Sequence, residues 1–227
     1  MSRLQVFTLL LLPMLLVLGL LSAAVVRNAG LFESYTPEQL RERLATANEE
    51  GRYHAALWLG VRRDLASAPA LTQALESDRS TRVRARAACA LGLVGDAAAV
   101  PALLGALADA DADLAANAAW ALGQLASPAA LPELERALAH ANDRVRWNAA
   151  VAAGRLGSTH AAPVLREMAA GADPEVALMA VRALGLCGAT EDAATLRGLP
   201  DRGWGKTWQD EVTAAAAAIE AGSGGKR

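Results

Sequence analysis

The segment Asn142-Asp143-Arg144-Val145-Arg146-Trp147-Asn148-Ala149-Ala150-Val151-Ala152-Ala153-Gly154 opens on a helix-capping residue and closes on one that ends helices. Between them Val145, Ala149, Ala152 and Ala153 recur at the spacing of one apolar helical face. The same design returns at a fixed distance. Ala90-Leu91-Gly92, Ala121-Leu122-Gly123, Ala152-Ala153-Gly154 and Ala183-Leu184-Gly185 place glycines 31 residues apart, and a weaker copy, Trp58-Leu59-Gly60, precedes Gly92 by 32. Self-similarity at such a period marks a stack of repeats in which no unit buries its apolar face alone.

Each unit reads as two helices, A and B. Pro69, Pro101, Pro132 and Pro163 stand nine residues after successive glycines, where Ala194 takes the place of a fifth. Proline suits a first helical turn, whose N–H has no partner to lose. Leu71, Leu103, Leu134, Leu165 and Leu196 follow two residues later as the core of helix A. Helix B is expected to start at Ser80, Asp111, Asn142 and Asp173 and to stop at the repeat glycine. Its apolar face is Val83, Ala87, Ala90, Leu91 in one unit, Leu114, Ala118, Ala121, Leu122 in the next, then Val145, Ala149, Ala152, Ala153 and Val176, Ala180, Ala183, Leu184. The alanines let neighbouring backbones approach closely.

Composition agrees. The 227 residues include 55 Ala, nine aromatics and a single Ile, Ile219, so strand-forming runs are missing and all-β and α/β folds are excluded. The net charge of −2 lacks the basic excess of a dedicated nucleic-acid binder.

The pattern D-x-x-V-R-x-x-A-A-x-A-L-G, with glycine three residues on and P-x-L in the next helix, resembles the short HEAT-like repeats of the phycobilisome-lyase type. Asn142 to Gly154 with Gly157 carries it most fully, and Asp173-Pro174-Glu175-Val176 with Ala183-Leu184-Gly185 and Gly188 carries it again. The repeat arginine is present at Arg84 and Arg146 and replaced by Ala115 and Ala177. The resemblance implies an all-α solenoid of about five helical pairs over residues 51–200, and scaffold or lyase-type functions. Chains of this kind serve as scaffolds, as chaperone-like subunits attaching bilins, and occasionally as enzymes, so the fold alone assigns none of these.

The flanks are less regular. Residues 4–26 hold no charge and are long enough to cross about 30 Å of hydrocarbon. Residues 1–27 therefore read as a signal anchor, or as a signal peptide cut before Val25. Arg3 ahead of the apolar run sets the remainder outside the cytoplasm, in the periplasm if the anchor is retained or after release by cleavage. Without this segment 20 basic groups face 24 acidic ones, a net of −4. Residues 28–50 form a linker and an N-terminal capping helix starting at Thr36-Pro37-Glu38-Gln39; residues 201–227 form a closing helix over 208–221 and a glycine-rich tail.

Little in the chain promises chemistry. His54, His140 and His160 are scattered without metal-ligand spacing, and no His-Glu pair of the kind used by iron-binding HEAT enzymes exists. No nucleophile-base or phosphate-loop arrangement is visible. Cys89 and Cys187 lie three repeats apart, too far for a disulfide. Arg82, Arg84 and Arg86 read as a solvated helix face, with DNA binding set against the acidic net charge. No cofactor, metal or nucleic acid is therefore expected; a protein partner is, a membrane-complex subunit in keeping with the anchor. Positions −10, −6, −3 and +1 from each repeat glycine form a stripe away from the buried face. From it the candidate partner-binding residues are Arg82, Arg86, Asn117, Trp120, Gln124, Arg144, Asn148, Arg155 and Arg182. A lyase or chaperone-like subunit for bilin attachment is the alternative reading.

Overall fold

The computed structural model describes residues 34–200 and 203–224. Among them are twelve α-helices and no strand. Layer A consists of α1 (Pro37–Thr46), α3 (Ala68–Ser77), α5 (Val100–Leu107), α7 (Leu131–Ala137), α9 (Ala162–Ala169) and α11 (Thr190–Arg197). Layer B consists of α2 (Glu49–Val61), α4 (Thr81–Val94), α6 (Ala112–Leu125), α8 (Asp143–Arg155), α10 (Pro174–Cys187) and α12 (Lys206–Gly224). Twelve helices make six pairs where the sequence reading expected about five. The helix expected over 208–221 as a separate cap is the B partner of α11, and it runs on to Gly224 into the expected tail.

Local chemistry sets the helix starts. Ser80, Asp111, Asn142 and Asp173 each cap a B helix through a side-chain oxygen that accepts a backbone N–H two or three residues on. Thr36 and Gln39 form a reciprocal capping box at α1, with Gln39 N–H donating to Thr36 Oγ1 and Thr36 N–H to Gln39 Oε1. Each repeat proline occupies the second position of its A helix, after a short 3₁₀ turn.

The B helices do not stop at the repeat glycine. Two further residues follow in α4 and α6, one in α8 and two in α10. The chain turns left-handed one residue after α4 and α6 and two after α2 and α8, at Arg63, Gly95, Ala126 and Gly157, all three residues beyond the repeat glycine. The repeat glycine has a different task. A Cβ on Gly60 would lie 2.7 Å from Cα of Ala90, on Gly92 2.7 Å from Cα of Ala121, and on Gly123 2.8 Å from Cβ of Ala152. Successive B helices therefore cross at glycine-on-alanine contacts, and α12 joins the series with Ala215 over Gly185.

Leu71, Leu103, Leu134, Leu165 and Leu196 from layer A meet Leu59, Leu91, Leu122 and Leu184 from layer B in one continuous core, none more than 1% exposed. Glycine and alanine let successive B helices pack closely, while A helices touch each other far less. The stripe lies along layer B. The apolar segment at residues 4–26 lies outside the described residues; among those described, no helix is long and apolar enough to cross a membrane.

The repeat arginine ties units together. Arg52 occupies its position in α2, where it donates to both carboxylate oxygens of Asp78, beyond α3, and to the Ala47 carbonyl. Arg84 donates to the Asp78 carbonyl and Thr81 Oγ1 and approaches Asp109; Arg146 donates to the His140 carbonyl and reaches Glu167 of α9. Arg84 is thus half-buried and structural, which corrects the solvated reading.

Candidate partner-binding face

The nine stripe residues fall into two neighbouring concavities along layer B. The first, of about 330 Å³, gathers Arg82 and Arg86 of α4, Asn117 of α6 and Arg144 of α8 around Tyr53, Asp111 and Asp113. The second, of about 430 Å³, gathers Trp120 and Gln124 of α6, Asn148 and Arg155 of α8 and Arg182 of α10 around Val151, Met179 and Leu186.

In the first, Arg82 and Arg144 are matched by acids and Arg86 is held by Tyr53. Arg82 and Arg86 stack on the Tyr53 ring at 4.1 and 4.6 Å, and Arg86 donates to the Tyr53 hydroxyl. Arg82 also pairs with Glu50 at 2.7 Å, and this hydrogen bond holds the Glu50 carboxyl below the usual carboxylate range. Arg144 pairs with Asp113, while Asn117 Nδ2 donates to the Asp113 carbonyl one turn back on its own helix. These arginines are anchored, not merely solvated. Tyr53 and Glu50 escaped the sequence reading because they sit in the degenerate first repeat, where the register was weakest; the aromatic on a B helix was the available signal.

The second concavity differs. Trp120 is half-buried, its ring edge over Gly92, whose missing side chain leaves room for it. Met179 and Leu186 are 38% and 64% exposed, unusual for large apolar side chains, and with Val151 they continue the apolar surface across α8 and α10. Asn148 Nδ2 donates to the Ala116 carbonyl across the α6–α8 interface at 2.9 Å. Arg182 pairs with Glu211 of α12 at 2.6 Å, which raises the Arg182 pKa and lowers that of Glu211. Arg155 and Gln124 are exposed, and their side chains form no hydrogen bond or ion pair among the described residues.

Glu135 accepts from Ser158 Oγ at 2.5 Å and lies 3.0 Å from His160 Nδ1, so the carboxylate stands between the serine and the imidazole. Cys89 is half-buried; Cys187 is buried, and burial pushes its thiol up to about 11. Trp208 is buried in α12, with Trp204 edge-on to it at 4.8 Å. Among the described residues no three His, Cys, Asp or Glu side chains gather as metal ligands.

With this geometry in view, the comparisons are direct. The model of HEAT repeats matches residues 37–116 and 103–185. Among solved structures, the complex of CpcE and CpcF of phycocyanin lyase from Nostoc sp. PCC7120 is similar at 23% identity and a TM-score of 0.54, covering 83% of this chain and 95% of that one. An engineered protein is similar at 21% identity and a TM-score of 0.59, covering 82% and 97%, and a designed armadillo repeat protein at 17% and 0.52, covering 82% and 100%. No curated protein matches. At these identities the structures share the fold alone, an all-helical repeat solenoid. On the family model, which spans well over half its length, the chain belongs to the HEAT-repeat family.

Proposed function

We propose that this chain is a non-catalytic scaffold, tethered to a membrane by residues 4–26 with its solenoid on the extracytoplasmic side, that holds a protein partner as an accessory subunit of a larger membrane complex. The tether rests on the uncharged run and on Arg3 before it. The observation that carries partner binding is the second concavity, where an apolar floor of Trp120, Val151, Met179 and Leu186 stays open between polar rims of Gln124, Arg155 and Arg182. Tryptophan and arginine around an apolar depression are the residue types that dominate protein interfaces.

The experiment is capture of the tagged full-length chain from detergent-extracted membranes, with co-purifying proteins quantified by mass spectrometry. Trp120→Ala combined with Arg155→Glu should lower recovery of the partner at least tenfold, about 1.4 kcal/mol, with the helical circular dichroism signal intact. Retention of the partner by this variant, together with its loss on change at Trp204 or Trp208, would move the site to the C-terminal end. A tetrapyrrole absorbance band in the purified protein would replace the scaffold reading with the lyase one.

A further inference from the structure

The arginines of the stripe are not equivalent. Arg82 pairs with Glu50, Arg144 with Asp113 and Arg182 with Glu211, and Arg86, though without an acid, is held by the ring and hydroxyl of Tyr53; the Arg155 side chain has neither an acidic nor an aromatic partner among the described residues. It also lines the one of the two stripe concavities whose floor is apolar. A guanidinium beside apolar surface is well placed for a forked, charge-assisted pair with a carboxylate, because the neighbouring apolar groups lower the local dielectric.

From this juxtaposition we infer that the concavity takes a linear peptide segment of the partner. The segment sets one bulky apolar side chain on Trp120, Val151, Met179 and Leu186 and one carboxylate on Arg155. The volume of about 430 Å³ lies toward the small end of ligand pockets, about 300–1,000 Å³, which suits a few side chains of a peptide. The charge count selects the anion. Arg182 is neutralised by Glu211, so a single positive charge awaits compensation, matching one carboxylate and leaving a phosphate dianion half compensated. Nucleic acid needs several unpaired cations in a row, and the paired arginines on either side deny it them.

This inference rests on the scaffold reading above and is separable from it. The full-length protein in detergent is panned against a displayed random dodecapeptide library, and enriched sequences are made as fluorescein-labelled peptides for anisotropy titration. Enriched peptides should combine Leu, Phe, Trp or Met with a nearby Asp or Glu. Replacing that acid by its amide, or making Arg155→Glu, should weaken binding at least tenfold; a peptide with Lys in place of the acid should bind Arg155→Glu better than wild type. Peptides without an acid, binding indifferent to Arg155→Glu, or no enrichment would overturn the inference. Capture of the native partner separates the two readings. If Trp120→Ala releases the partner and Arg155→Glu keeps it, the concavity binds without the carboxylate; if both keep it, the concavity is not the partner site and this inference falls.

Discussion

Arg52 and Asp78 show how one residue pair spans two repeats. Nε and one terminal nitrogen of Arg52 meet the two carboxylate oxygens at 2.6 and 2.8 Å, Ser80 N–H donates to the same carboxylate, and each side chain is 7% exposed. Burial alone would push the Asp78 carboxyl up, but the hydrogen bonds from Arg52 and Ser80 outweigh it and hold the carboxyl below its ordinary value. A depressed folded-state pKa contributes stability above the unfolded value of about 3.9, and that stability is lost as pH falls through the folded value. Asp78→Asn leaves Arg52 buried without its counter-charge and should cost about 3–5 kcal/mol at neutral pH. Urea unfolding midpoints between pH 6 and 2 should therefore fall less steeply for Asp78→Asn than for the parent; parallel curves would deny the pair this role. The repeat arginine was legible in the sequence at Arg84 and Arg146. Its partners were not, because Asp78 lies 26 residues from Arg52 and only stacking brings them together.

At the scale of the helix, glycine was legible as a marker and misread as a stop. One letter serves two purposes: Gly95 and Gly157 supply left-handed turns, which Arg63 and Ala126 make in two other units, whereas Gly60, Gly92 and Gly123 permit helix crossing. Periodicity locates both and cannot tell them apart, since the second use depends on an alanine 29 or 30 residues away. The distinction makes a test of sign. In a helix interior Gly→Ala gains about 1 kcal/mol of propensity. At Gly105 in α5, where an added Cβ meets nothing within 4 Å, that gain should be realised. At Gly92 the new methyl would lie 2.7 Å from the Cα of Ala121, backbone that has no rotamer to yield, and overpacking of this kind costs about 1–3 kcal/mol. Gly105→Ala should raise the thermal midpoint and Gly92→Ala lower it. Equal shifts in one direction would mean that the B helices do not cross tightly there.

Across the whole molecule, the repeat period, the two layers and the buried leucine rows were readable because each follows from spacing alone, whereas the sixth pair was not, because its B helix falls after the period breaks. The division of the stripe into a half whose arginines are held and an open apolar half was not, since it depends on which side chain each arginine meets on a neighbouring repeat. The same nearest-neighbour logic governs stability. Leu122 in α6 and Leu40 in α1 are both fully buried, so truncation to alanine should cost each site a comparable transfer and cavity penalty of about 2–5 kcal/mol. Their positions in the stack differ. Helix α6 contacts the B helices on both sides, α4 and α8, whereas α1 belongs to the first described pair and has repeats on one side only. In a quasi-one-dimensional array the loss at a central unit propagates in both directions, and the loss at an end is shared with fewer neighbours. Hydrogen exchange should accordingly accelerate in α4, α6 and α8 for Leu122→Ala and stay confined to α1–α3 for Leu40→Ala. Should Leu122→Ala speed exchange in α6 alone, or should Leu40→Ala reach as far as α8, the molecule would be folding as independent units in the first case and as a single cooperative block in the second, and the coupling of repeats through their glycine crossings would be refuted.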